Sequence, residues 1–205
     1  MTSESASGAV PFNQDAATHE GYIYTNDTTL GSRYALQRTT EAILGITDFT
    51  DKTILEMGCG DGFFSFHFWD QGHPKALIGV DLAENAIDVA NRHKGSRPIQ
   101  FQVGNTHQIP LEDNHFDLVI IQWMLHHDDN VLATIQEAFR LAPEILIHEP
   151  NGNNPGLKII EKLSPYHRAH GERSFSMTQM IQWIEAAGGA PVRIRYSGFV
   201  PMFSR

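Results

Sequence analysis

Three glycines at alternate positions, Gly58, Gly60 and Gly62, follow a short apolar run that ends in an acid, Glu56. A side chain at any of the three would hold the backbone away from a ligand, so the spacing suits a turn that must touch one closely. Residues 53–64 read as a buried strand, a tight turn and a helix start, which is the geometry of a nucleotide-binding crossover. The dinucleotide spacing would need glycine at 63, and Phe63 stands there. A second apolar run ends in Asp81, followed by Leu82. A carboxylate at that distance from the glycines can accept from both hydroxyls of a ribose. A third run leads to Asn105 and Thr106, and an amide can both donate and accept at a base edge. A fourth passes Gln122 and delivers His126 and His127, while a fifth delivers His148 and Glu149.

Taken in order, these segments resemble the class I S-adenosylmethionine-dependent methyltransferases over roughly residues 50–150. The order acid-x-Gly-x-Gly-x-Gly resembles that family's motif I, and Phe116-Asp117-Leu118-Val119 resembles its motif IV. The opening Glu149-Pro150-Asn151-Gly152 resembles small methyltransferases of the broad type 11 kind. The resemblance implies S-adenosylmethionine as cofactor and its demethylated product, S-adenosylhomocysteine. It implies a cofactor site at Glu56, Gly58, Cys59, Gly60, Gly62, Asp81, Leu82, Asn105, Thr106 and Gln122. Asn105 would lie next to the adenine. A small-molecule acceptor is implied, with oxygen, nitrogen and carbon all open as the methylated atom. His126 and His127 are the candidate bases where the acceptor is a hydroxyl, because related enzymes approach the acceptor after the fourth strand. Tyr22, Tyr24, Arg33, Glu149 and Tyr166 are the candidate substrate contacts. A chain that keeps the cofactor pocket without turnover, or that needs a partner subunit, is the competing reading.

Other chemistries are less well served. Cys59 has no adjacent histidine, so packing within the turn is favoured over a reactive thiol. His126-His127-Asp128-Asp129 with His148-Glu149 contains metal-ligand types, but adjacent residues on a turn diverge, and aspartates at a helix start act as caps. No metal is expected. A net charge of −9 with 15 Lys and Arg, and no basic cluster, argues against a nucleic-acid backbone as partner. The single cysteine fits a reducing cytoplasm. No apolar run is long enough for a bilayer, and residues 1–9 lack an apolar signal core.

The positioning elements follow from the alternation of apolar runs with helical periods. That alternation predicts a doubly wound α/β domain, a mostly parallel sheet with helices on both faces. Residues 1–20 read as a flexible arm and 21–205 as one domain. Within it, 21–50 is expected to form an N-terminal lid and helix, and 150–176 an insertion over the substrate pocket. Helices are expected near 33–46, 63–70, 83–93, 129–141, 157–163 and 178–187, the last capped by Thr178. Val192 to Tyr196 alternates as a half-buried sixth strand. The seventh strand of the family is not found after it. An edge left open there predicts association of two copies through the C-terminal side of the sheet.

Overall fold

The computed structural model describes residues 3–26, 28–164 and 173–196. Five strands form one sheet: β1 (Thr53–Met57), β2 (Ala76–Asp81), β3 (Gln100–Val103), β4 (Leu118–Gln122) and β5 (Glu144–His148). Their order is β3-β2-β1-β4-β5, and every pairing is parallel. The sheet's central runs are apolar throughout because both faces are covered. Ile54, Leu118, Ile120 and Leu146 pack toward α3 (Leu30–Leu44) and α4 (Phe63–Gly72). Leu55, Met57, Val119 and Ile121 pack toward α6 (Val131–Leu141) and α8 (Met177–Ala186). The helix α5 (Glu84–His93) follows β2, and Ile87 and Ala90 join the first of these clusters. The doubly wound arrangement expected from the sequence is present.

Three expectations are corrected. The segment expected to be a flexible arm is helical over Ser3–His19 (α1). It lies on α5, where Asn13 accepts from the Asn85 amide at 3.0 Å and Ala16 is buried. Its weak apolar pattern hid this; Phe12 and Ala16 pack with Tyr22, Ala83 and Ala86. The last helix is capped by Ser176, not Thr178, through a reciprocal capping box with Gln179.

The third correction concerns Val192 to Tyr196, which is not a strand; Val192 is 98 % exposed. Arg193 and Arg195 instead donate to the carbonyls of Ile46 at 2.7 Å and Gly45 at 3.4 Å, at the end of α3. Unsatisfied carbonyls at a helix C-terminus attract cations, and here they outcompete a ladder. Among the described residues, no strand follows β5 in the sheet. Residues 198–201, where the chain was expected to turn toward a seventh strand, lie outside the described residues.

Two shorter helices complete the frame of the site. The single turn α2 (Ile23–Asn26) precedes α3, and α7 (Pro155–Leu163) opens the insertion after β5. The insertion closes on itself: Asn151 bridges Phe175, and Lys158 Nζ donates to the Ser174 carbonyl at 2.6 Å. Arg173 then donates to the Asp128 carbonyl at 2.6 Å, which ties the stem to the loop after β4.

Candidate functional site

The strands' C-terminal ends open into a cleft that continues past β5 to Pro143 and Glu144, about 2040 Å³ in all, and it carries most of the residues singled out from the sequence. Its floor is the glycine turn between β1 and α4. Gly58, Gly60 and Gly62 have φ of 75°, 54° and 79°, a region that suits glycine. A Cβ at Gly60 would lie 2.4 Å from the Tyr22 ring, and one at Gly58 would lie 2.4 Å from Met124. The turn is therefore bare on both sides because neighbours already approach it. Gly62 ends the turn and starts α4 without a side-chain cap. Cys59 is buried, its thiol pushed well up by that burial, and it packs against Gly79, as a structural residue does.

Two acids fix the turn. Asp81 Oδ2 accepts the Gly60 amide at 2.8 Å, and Oδ1 accepts the Ala83 amide at 2.8 Å. Burial raises the Asp81 pKa above the usual carboxylate range. Leu82 beside it lines the cleft. Asp61 was not singled out from the sequence. It accepts the Tyr22 amide at 2.9 Å and the Thr25 hydroxyl at 2.5 Å, and so clamps the N-terminal segment over the turn. Its place between two glycines of the turn was the available signal. Glu56 is buried at the end of β1, accepts from the Ser65 hydroxyl, and is pushed up to about 8 by desolvation.

The adjoining wall carries Asn105, Thr106 and Gln122. Asn105 Oδ1 accepts the His107 amide at 2.9 Å, which holds the turn after β3. Gln122 is 5 % exposed, and among the described residues neither its amide oxygen nor its amide nitrogen has a hydrogen-bond partner. Leaving such atoms unpaired costs about 1–3 kcal/mol, so the arrangement is suited to a ligand that completes it.

The loop after β4 is sharply bent, with Trp123 at φ 51°. Strained backbone of this kind persists where surrounding contacts enforce it. Here Glu149 enforces it: Oε1 accepts the amides of Met124 and Leu125, each at 2.8 Å, and Oε2 meets His126 Nδ1 at 2.6 Å. Glu149 thus faces the loop, which makes it a loop-holding carboxylate and not the open substrate contact expected. His127 packs edge-on against Phe12 of α1, with ring centroids 4.8 Å apart. His148 is half-buried beside Trp123, and burial lowers its pKa. Asp128 accepts from Asn130 N and Thr134 Oγ1, while Asn130, not an aspartate, caps α6 by accepting from Ala133 N.

Tyr22 reaches the cleft, buried against the glycine turn. Arg33 does not: it is exposed on α3 and absent from the cleft wall. It sits on the solvent side of a helix whose buried positions are Ser32, Leu36, Thr40 and Ile43. The side chain of Tyr24 and the whole of Tyr166 lie outside the described residues.

Residues 55–144 match the family described as "Methyltransferase domain". The match covers 90 of the chain's 205 residues, and over that segment the chain is similar to methyltransferases. It is 31 % identical over 98 residues to a demethylmenaquinone methyltransferase of Lactococcus lactis, covering 46 % of this chain and 39 % of that protein. It is 31 % identical over 151 residues to a demethylmenaquinone methyltransferase of Symbiobacterium thermophilum, covering 69 % and 57 % respectively. The chain thus spans about half the length of these relatives. Among solved structures, it superposes on magnesium protoporphyrin IX methyltransferase from Synechocystis with bound S-adenosylhomocysteine at a TM-score of 0.73. That match covers 93 % of this chain and 91 % of the other at 14 % identity, a likeness of fold.

The methyltransferase cofactor fits the residues present. Asp81 holds the glycine turn at the cleft floor, and among the described residues the buried Gln122 amide lacks a partner.

Proposed function

We propose that this chain transfers a methyl group from S-adenosylmethionine to a small-molecule acceptor. The observation that carries this reading is the joint placement around one cleft of Gly58, Gly60, Asp81 and the Gln122 amide, which has no partner among the described residues. Asp81 would hold the ribose hydroxyls, Leu82, Asn105 and Thr106 the base side, and Gln122 and the turn backbone the amino-acid end. When bound, the sulfonium supplies an electrophilic methyl group and leaves as a neutral thioether. The chain's own contribution is alignment and the exclusion of water, and alignment alone can be worth about 7–11 kcal/mol of barrier. Tyr22, held over the turn through Asp61, serves the exclusion. The demethylmenaquinone methyltransferases among the relatives favour a small cyclic acceptor over a macromolecule. No described helix is long and apolar enough to cross a membrane, and a cytoplasmic setting accords with the lone cysteine.

The test has two arms. Calorimetry with S-adenosylmethionine and S-adenosylhomocysteine reads the cofactor site. A methyl-labelled donor with a panel of phenols, hydroquinones, thiols and amines reads transfer. Binding and labelled product are expected. No binding overturns the reading, and binding with no transfer to any acceptor class would favour a cofactor-binding protein without turnover.

A further inference from the structure

We propose that Glu56 holds the ammonium of the cofactor's amino-acid end and gives up its own proton in doing so, so that cofactor binding releases a proton from the cleft floor. The inference rests on the methyl-transfer reading and deepens it at one residue.

The strand register places the carboxyl. Glu56 of β1 pairs with Ile120 of β4, and Gln122 stands two residues further along β4. Side chains alternate along a strand, and paired residues leave the sheet on the same face. Glu56 and Gln122 therefore share the face that Ile54 and Ile120 present to α4, and both line the cleft. Oε2 of Glu56 takes the Ser65 hydroxyl of α4, while among the described residues no hydrogen bond reaches Oε1. The buried Gln122 carboxamide on that face has no partner among the described residues for either of its polar atoms. The end of an α-amino acid answers both groups. The Gln122 NH₂ donates to its carboxylate, and an ionised Glu56 accepts from its ammonium.

The surroundings decide the charge of Glu56. The charged groups that face it are Asp81 of β2 and Asp61 of the turn, both acids. Those two are held by backbone amides and the Thr25 hydroxyl, not by a base. The Cys59 thiol of the turn, pushed well up by burial, adds no positive charge, and α4 and β4 bring the neutral Ser65 and Gln122. A buried carboxylate with no cation beside it takes a proton instead. Desolvation, opposed by Ser65 and reinforced by the two acids, pushes Glu56 up to about 8, so the acid is neutral near pH 7. A ligand ammonium supplies the missing positive charge. On its arrival the Glu56 O–H bond breaks, the proton passes to water, and the ammonium keeps its own protons.

Calorimetry on the full chain reads that proton directly. S-adenosylhomocysteine is the first probe, because it carries the ammonium without the sulfonium. 5′-Methylthioadenosine is the second, because it lacks the amino-acid end. Each is titrated into the protein in buffers of different ionisation enthalpy. Near pH 7, S-adenosylhomocysteine is expected to release about one proton per molecule bound, and its affinity to rise about ten-fold per pH unit below pH 8. 5′-Methylthioadenosine is expected to release none and to bind equally across that range. Glu56→Gln keeps a neutral group beside Ser65. It is expected to abolish the proton release and the pH dependence with S-adenosylhomocysteine, and to leave 5′-methylthioadenosine affinity at the parent level, which also reports a folded cleft. Binding of S-adenosylhomocysteine to the parent without proton release overturns the proposal. So does equal release with both probes, or release that persists in Glu56→Gln, since either outcome moves the proton to another group. Failure of both probes to bind the parent overturns the methyl-transfer reading, and this inference with it.

Discussion

The Asp61 carboxylate accepts the backbone amide of Tyr22 at 2.9 Å, and by that bond the glycine turn holds its own cover in place. The same oxygen takes the Thr25 hydroxyl at 2.5 Å, and the other takes the Phe63 amide at 3.2 Å. The turn and the N-terminal segment are one unit, although about forty residues of chain separate them.

Asp61→Ala should therefore loosen residues 20–26 and destabilise the fold. Bonds to a charged acceptor contribute about 1.5–3 kcal/mol each, and Asp61 is buried. Urea unfolding should show a lower midpoint, and chymotrypsin should cut sooner at Phe12 and Tyr22. Parent stability together with a parent cleavage rate would remove Asp61 from the role.

Asp81→Ala should weaken S-adenosylmethionine by about 1.5–3 kcal/mol, read by calorimetry. Asp81 also holds the Gly60 amide at 2.8 Å, so the loss combines ribose contacts with a slacker turn. Asp81→Asn separates these, since its carboxamide oxygen can still accept from Gly60. A smaller loss is expected for Asn than for Ala. Equal affinity in parent and Ala variant would detach Asp81 from the cofactor.

Between β1 and β5 the sequence was legible because most strands are short apolar runs with a polar residue at or near the sheet's C-terminal edge. Asp81, Gln122 and His148 close such runs and Glu56 stands one residue before the end of β1, and all four line the cleft. Legibility failed where a residue's role depends on a partner distant in sequence. Glu149 looks like a free strand-end acid until the Met124 and Leu125 amides are seen to occupy it. Val192 to Tyr196 alternates correctly for a strand, yet its arginines find the α3 carbonyls first. The α1 helix carries Pro11 and few apolar residues, and its order shows only through partners distant in sequence: Asn13 and Ala16 against α5, and Phe12 against Tyr22 and His127.

The β5 edge gives a third prediction. Among the described residues β5 pairs only with β4, so alternate amides along Glu144–His148 have no ladder partner. Hydrogen exchange should divide the strand, with alternate amides exchanging on the order of 10² faster than those of β1 and β4. An open edge also invites strand addition from another copy. Uniform protection along β5 at low protein concentration would show that something else in the chain pairs there. Protection that appears only as concentration rises would instead mark association through this edge.

Glu56 supplies the last prediction, through its pH dependence. Its carboxyl is raised from 4.5 to about 8 by burial, with Asp81 and Asp61 adding repulsion and Ser65 opposing it. A raised carboxyl means that the folded state binds the extra proton between those two values. The contribution is fully present below the unfolded pKa and is lost as pH rises through the folded one. Stability should therefore fall between roughly pH 5 and 8 by an amount on the order of a few kcal/mol. His148, lowered by burial, works in the opposite sense, since its contribution is present above the ordinary histidine range and lost as pH falls. Comparing parent and Glu56→Gln isolates the Glu56 part. The variant keeps a neutral group of similar shape beside Ser65, so its stability should match the parent near pH 5 and exceed it near pH 8. Denaturant midpoints measured at half-unit steps would check this. Parallel curves for the two proteins across that window would mean that Glu56 does not hold its proton in the folded state.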